Sequence, residues 1–105
     1  MKYHFQLTYS VRPSGDSDKE ERAAQKARKL LKNIDGWFSL ESVETTIVGT
    51  LKLNSVGVRD KREEAKEKVE EIIADILKNY EIFSDVWVNA SLMVDTLGEH
   101  IEFRI

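Results

Sequence analysis

The chain has 105 residues, of which 41% are hydrophobic and 33% are charged in both signs, with one proline, no cysteine and a formal charge of −3. That length accommodates one core and no second one, and the composition excludes a long disordered tract, a fibrous repeat, a disulfide framework and a thiolate metal site. No apolar run approaches the roughly 20 residues of a membrane-spanning helix, and the negative balance argues against dedicated duplex-DNA binding.

The first residues, Met1 to Gln6, contain no apolar stretch ahead of a small-residue cleavage site, so no secretory signal is expected. With cysteine absent, the expected location is cytoplasmic. From Tyr3 to Val11 the odd positions are apolar and the even ones polar, which predicts a half-buried strand. Pro13 to Asp16 breaks it, and Ser17 with Glu20 forms a capping box that starts a helix. The buried stripe of that helix is expected at Ala23, Ala27, Leu30, Leu31 and Ile34, with Gly36 as its left-handed C-terminal cap.

Trp37 to Asn54 reads as two pieces, because its apolar phase shifts between Leu40 and Val43. Trp37 to Glu41 predicts a short strand. A longer one follows, with Val43, Thr45, Ile47, Gly49, Leu51 and Leu53 on one side and a bulge or close backbone approach at Gly49. Asp60 with Glu63 predicts a second capping box, and Ala65, Val69, Ile72, Ile73, Ile76, Leu77 and Tyr80 form the apolar stripe of a helix running to about Tyr80. Val86 to Val94 alternates again. Asp95 to Gly98 predicts a hairpin turn into a last strand with Ile101, Phe103 and Ile105 inward and His100, Glu102 and Arg104 outward.

Strands covered on both faces would read as continuous apolar runs, whereas the first and last strands here alternate cleanly. Both helices therefore belong on one face. The expected fold is an α+β two-layer ferredoxin-like βαββαβ sandwich with an added C-terminal strand, formed by the single domain 1–105.

No nucleophile elbow, phosphate-binding glycine loop, HExxH pair or kinase signature occurs, so no catalytic residue, metal site or cofactor is assigned. Tyr9, Arg12, His4 and Arg104 are the residue types that could form an acid-base set if the fold brought them together. Asp16, Asp18, Glu20 and Glu21 cluster at the start of the first helix, where negative charge favours a helix N-terminus; the spacing lacks the glycine and twelfth-position glutamate of an EF-hand. Arg22, Lys26, Arg28, Lys29 and Lys32 make a basic ridge on the first helix, the one stretch suited to phosphate contacts. The open sheet face is the other candidate. There Trp87, Met93, His4, His100 and Arg104 are expected to meet a partner, since exposed apolar groups with polar neighbours mark interfaces.

In element order and length, with a first strand Tyr3 to Val11 and a tail Asp85 to Asp95, the chain resembles small ferredoxin-fold antitoxins of the GhoS type and CRISPR-associated RNases. That resemblance implies RNA as a target. The adaptation nucleases among those RNases carry an aspartate at the end of the first strand, where this chain has Ser10-Val11-Arg12, and no catalytic residue carries over. The expected function is a regulatory or protein-interaction domain without catalysis, homodimeric through a strand edge or the Trp87 face. The alternatives are a metal-independent RNA-binding or RNA-cleaving antitoxin, and an inhibitor or immunity protein.

Overall fold

Alternation along the first strand sets the architecture. In a computed structural model describing residues 1–105, apart from the side chain of Glu44, β1 spans Lys2–Pro13 and buries Phe5, Leu7, Tyr9 and Val11 while His4, Gln6, Thr8 and Ser10 stay exposed. The elements that follow are α1 (Asp18–Leu31), β2 (Phe38–Leu40), β3 (Val43–Lys52), α2 (Val58–Asn79), a 3-10 turn at Phe83–Asp85, β4 (Val86–Val94) and β5 (Ile101–Arg104). The strands form one antiparallel sheet in the order β2-β3-β1-β4-β5. The chain is thus an α+β sandwich of two helices on a five-stranded sheet. Its core joins the inward residues of the strands to Ala23, Ala24, Ala27 and Leu31 of α1 and to Ala65, Val69, Ile73 and Leu77 of α2. Three alanines on the inner side of α1 let its backbone lie close to the sheet.

Several expected boundaries move. Ser17 caps α1 through its hydroxyl, which accepts from the Glu20 N–H at 3.5 Å, but the Glu20 carboxylate meets the Ser17 hydroxyl and not the Ser17 amide. Gly36 is left-handed (φ 80°) without capping α1. The helix has already ended at Leu31, where Asn33 donates its side-chain amide to the Lys29 carbonyl at 2.9 Å, so Gly36 serves the next turn. The capping box at Asp60 and Glu63 is absent: Gly57, at φ 90°, is the N-cap three residues before Asp60, α2 begins at Val58, and Asp60 sits inside the first turn. Tyr80 is half exposed, with the Lys26 ammonium 4.9 Å from its ring centroid, because α2 stops at Asn79.

In β3 the expected inward side holds only from Ile47 onward. Val43 and Thr45 are exposed, since β1 pairs with β3 no further than Thr8↔Thr46 and the strand's start projects past the core. Gly49 pairs regularly with Phe5, so there is no bulge at that position. The irregularity lies in the neighbouring strand, between Ser39 and Leu40. The turn at Asp95 to Gly98 is in fact a longer loop reaching His100, with Thr96 at φ 65° and Gly98 at φ 89°. Its Leu97 is buried, and Arg62 of α2 donates to the carbonyls of Leu97 (2.7 Å) and Glu99 (2.6 Å). His100 therefore precedes β5 and does not belong to it.

Candidate interaction face

The even-numbered residues of β1 and their cross-strand partners form the sheet face away from the helices. Strand register arranges them in rows across the strands. One row is Phe38, Val48, Gln6 and Met93; the next toward the C-terminal end of β1 is Thr46, Thr8, Ser91 and Glu102; beyond it come Ser10, Asn89 and Arg104, then Arg12 and Trp87. On the other side of the Phe38 row, His4 pairs with Thr50, and Lys2 with Lys52.

The Phe38 row is the apolar part of this face. Phe38 is 68% exposed and Met93 49%, with half-buried Val48 between them. With His4, Thr50 and Asp95 they line an open concavity of about 720 Å³. Beneath it the sheet is thin, because Gly49 has no side chain on the core side. Phe5 and Trp37 occupy that space, edge to face, with centroids 5.0 Å apart. The two aromatic rings back the concavity from the core side of Gly49.

Trp87 lies at the far end of the face and is 46% exposed. The Arg104 guanidinium stacks 5.0 Å from its ring centroid and donates through Nε to Asn89 Oδ1 at 2.8 Å. The residues expected to meet a partner therefore fall into two groups: Trp87 with Arg104, and Met93 with His4. Six residue steps along β4 take Trp87 to Met93, about 20 Å at 3.3 Å per residue. His100 stands just ahead of β5, with Nε2 3.5 Å from Glu102 Oε1. Phe38, the most exposed of the aromatic residues on this face, did not stand out in the sequence, because a three-residue strand has no readable alternation. The parity of Trp37 inward and Phe38 outward follows only from its pairing with Val48.

The acid-base residue types do not converge. Tyr9 faces the core, opposite to His4 and Arg104, and its hydroxyl is buried with no hydrogen-bond partner; burial pushes its pKa up. Among the described residues, no group of three or more histidines and carboxylates is placed to hold a metal ion, and no helix is long and apolar enough to cross a membrane.

The basic ridge of α1 is divided by its contacts. Arg28 donates to the Val11 carbonyl at 2.8 Å, bracing the end of β1, and Lys26 covers the Tyr80 ring. Arg22, Lys29 and Lys32 remain on the exposed surface of the helix and its C-terminal cap. Elsewhere, Glu64 of α2 accepts from the backbone N–H groups of Ser55 (2.9 Å) and Asn54 (2.9 and 3.1 Å) and pairs with Lys68 at 3.4 Å. These bonds, led by the Ser55 amide, hold its carboxyl down at about 2. Lys68 in turn donates to the Lys52 carbonyl, so α2 ties down the end of β3.

Comparison with protein-family models, with curated proteins and with solved structures finds no match to this chain.

Proposed function

We propose that this chain is a cytoplasmic protein-interaction domain without catalytic activity, which works as a homodimer closed through the open face of its sheet. The observation that carries the reading is the Phe38 to Met93 row, where two large apolar side chains stand about half exposed or more on a face that no helix covers. Exposed apolar groups gathered in one place on a small domain mark contact surfaces. The strand order, with β1 between β3 and β4 and with β2 outermost beside β3, supports reading the fold as a ferredoxin-like βαββαβ core extended by β5.

Of the two expected modes, the face is favoured over the edges. Both edge strands are short, Phe38–Leu40 at one side and Ile101–Arg104 at the other, and short edges template little pairing. Dilution from millimolar to micromolar concentration, followed by amide chemical shifts, tests the reading. The expected shifts lie on β1, β3 and β4 around Gln6, Val48 and Met93. A spectrum unchanged on dilution in a protein of monomer mass, or shifts confined to α1 and α2, contradicts it.

A further inference from the structure

The Trp87 end of the open face carries positive charge that no other part of the fold uses. Arg104 is held there at two points: its guanidinium stacks 5.0 Å from the Trp87 ring centroid, and its Nε donates to Asn89 Oδ1 at 2.8 Å. Its Nη groups have no acceptor among the described residues. Arg12, exposed and directly opposite Trp87 in the pairing of β1 with β4, makes no hydrogen bond or ion pair among them either. The carboxylates at this end are engaged elsewhere. Asp85 pairs with Lys19 at 3.8 Å and Glu102 with His100 at 3.5 Å, while the main-chain oxygen of Ile105 turns into the sheet and accepts from the Val88 N–H. Stacking and the Nε bond fix the Arg104 fork before any ligand arrives, so binding costs it little side-chain freedom.

From these groups we infer a binding site for a sugar phosphate, with the phosphate monoester held by Arg104 and Arg12 and the sugar hydroxyls over Ser10, Asn89, Thr8 and Ser91. The charge fits this ligand. A phosphate monoester carries about −1.5 to −2 charge near pH 7 and three acceptor oxygens, enough for two guanidinia, whereas one guanidinium fork satisfies a carboxylate. Beside Arg104 the face is built of small polar side chains, Ser10 and Asn89 in its own row and Thr8 and Ser91 in the next, around an open depression of about 530 Å³. Because Asn89 Oδ1 accepts from Arg104, the Asn89 Nδ2 is left as a donor. Hydroxyls and an amide at these places suit a carrier rich in hydroxyl groups.

A nucleic-acid strand fits the face less well. Such a strand carries a phosphate at every nucleotide and binds along a continuous basic track. On β1 the next outward lysine or arginine after Arg12 is Lys2, ten residue steps or about 33 Å away, and Lys52 lies opposite Lys2. The site also lies outside the Phe38 to Met93 row, so it stands whether or not two copies meet there.

A proton–nitrogen NMR titration with ribose phosphate (the ester of the primary hydroxyl), ribose and inorganic phosphate in turn tests the site. The two tryptophans report separately, because Trp87 is exposed and Trp37 is buried. Ribose phosphate is expected to shift the Trp87 indole N–H and the Asn89 side-chain amide saturably while the Trp37 indole stays still. Inorganic phosphate should bind about fivefold or more weakly for want of the hydroxyl contacts, and ribose should leave the spectrum unchanged at the same concentrations. Arg104→Lys, which keeps the charge and loses the fork, and Arg12→Gln, each with an unchanged thermal melt, are expected to weaken binding about tenfold. Arg59→Gln, at an exposed arginine of α2, is expected to have no effect. No saturable shift of the native chain up to about 10 mM overturns the site. Inorganic phosphate bound as tightly as ribose phosphate overturns the sugar phosphate as its ligand. Equal weakening by Arg59→Gln reduces the binding to diffuse charge and overturns the site, and a single-stranded oligonucleotide whose affinity grows with its length overturns it in favour of a strand.

Discussion

Gly49 is the residue on which the candidate face most depends. A Cβ built there meets the Phe5 ring at 2.8 Å and Trp37 at 3.0 Å, and neither ring has free space, both being buried. Gly49→Ala is expected to cost about 1–3 kcal/mol in urea denaturation, as overpacking of a filled site does. Tyr9 behaves in the opposite sense. Its hydroxyl is desolvated and unpaired, so Tyr9→Phe removes an unmet polar group and is expected to leave stability unchanged or raise it by up to about 1 kcal/mol, by the same measurement. Glu64 sets an acid dependence. Its carboxyl titrates at about 2 in the folded chain and near 4.5 when free, so its contribution is complete above pH 4.5 and is lost as pH falls from there through 2. Thermal melts of Glu64→Gln should accordingly fall less steeply over that window than those of the native chain. A parallel decline in both proteins contradicts the account. None of these three roles is written in the local sequence. Gly49 reads as a bulge or a close backbone approach without the two rings that approach it, Tyr9 reads as an ordinary inward position, and Glu64 has only Lys68 at i+4 beside it in the sequence, because each role comes from groups further along the chain.

At the level of elements, strand and helix periodicity was legible wherever it ran for several repeats. β1, α1, α2 and β4 lie where the alternation and the apolar stripes place them. Ends were harder, because they are set by tertiary partners. The end of α1 depends on Asn33 returning to Lys29, the start of α2 on a left-handed Gly57, and the loop after β4 on Arg62 holding two of its carbonyls. The ridge on α1 illustrates the same limit. Five cations in eleven residues read as one surface, while in the fold Arg28 is an anchor for the Val11 carbonyl. Arg28→Ala is therefore expected to lower stability by about 1 kcal/mol through loss of a charge-assisted hydrogen bond, whereas Arg22→Ala, on the exposed part of the helix, changes it by less than about 0.5 kcal/mol. Equal effects in denaturant titrations of the two variants contradict that division of the ridge.

For the whole molecule, the open face was legible and its centre was not. Clean alternation in β1 and β4 requires both helices on one side, and the helices do pack there. The sequence draws attention to Trp87 as the exposed aromatic residue of that face. In the fold Arg104 stacks on it, and the apolar weight moves some 20 Å along β4 to Met93, Val48 and Phe38. That shift depends on β2, three residues whose pairing carries Phe38 to the edge of the concavity. The central claim is that this surface closes on a second copy. Sedimentation equilibrium over a range of concentrations tests it most directly: the account predicts a mass rising to twice the 12.1 kDa of the chain, and reverting to monomer when Phe38 and Met93 are both replaced by aspartate in a chain with an unchanged circular dichroism spectrum. A mass that stays at 12.1 kDa at the highest concentration, or a dimer that survives both substitutions, contradicts it.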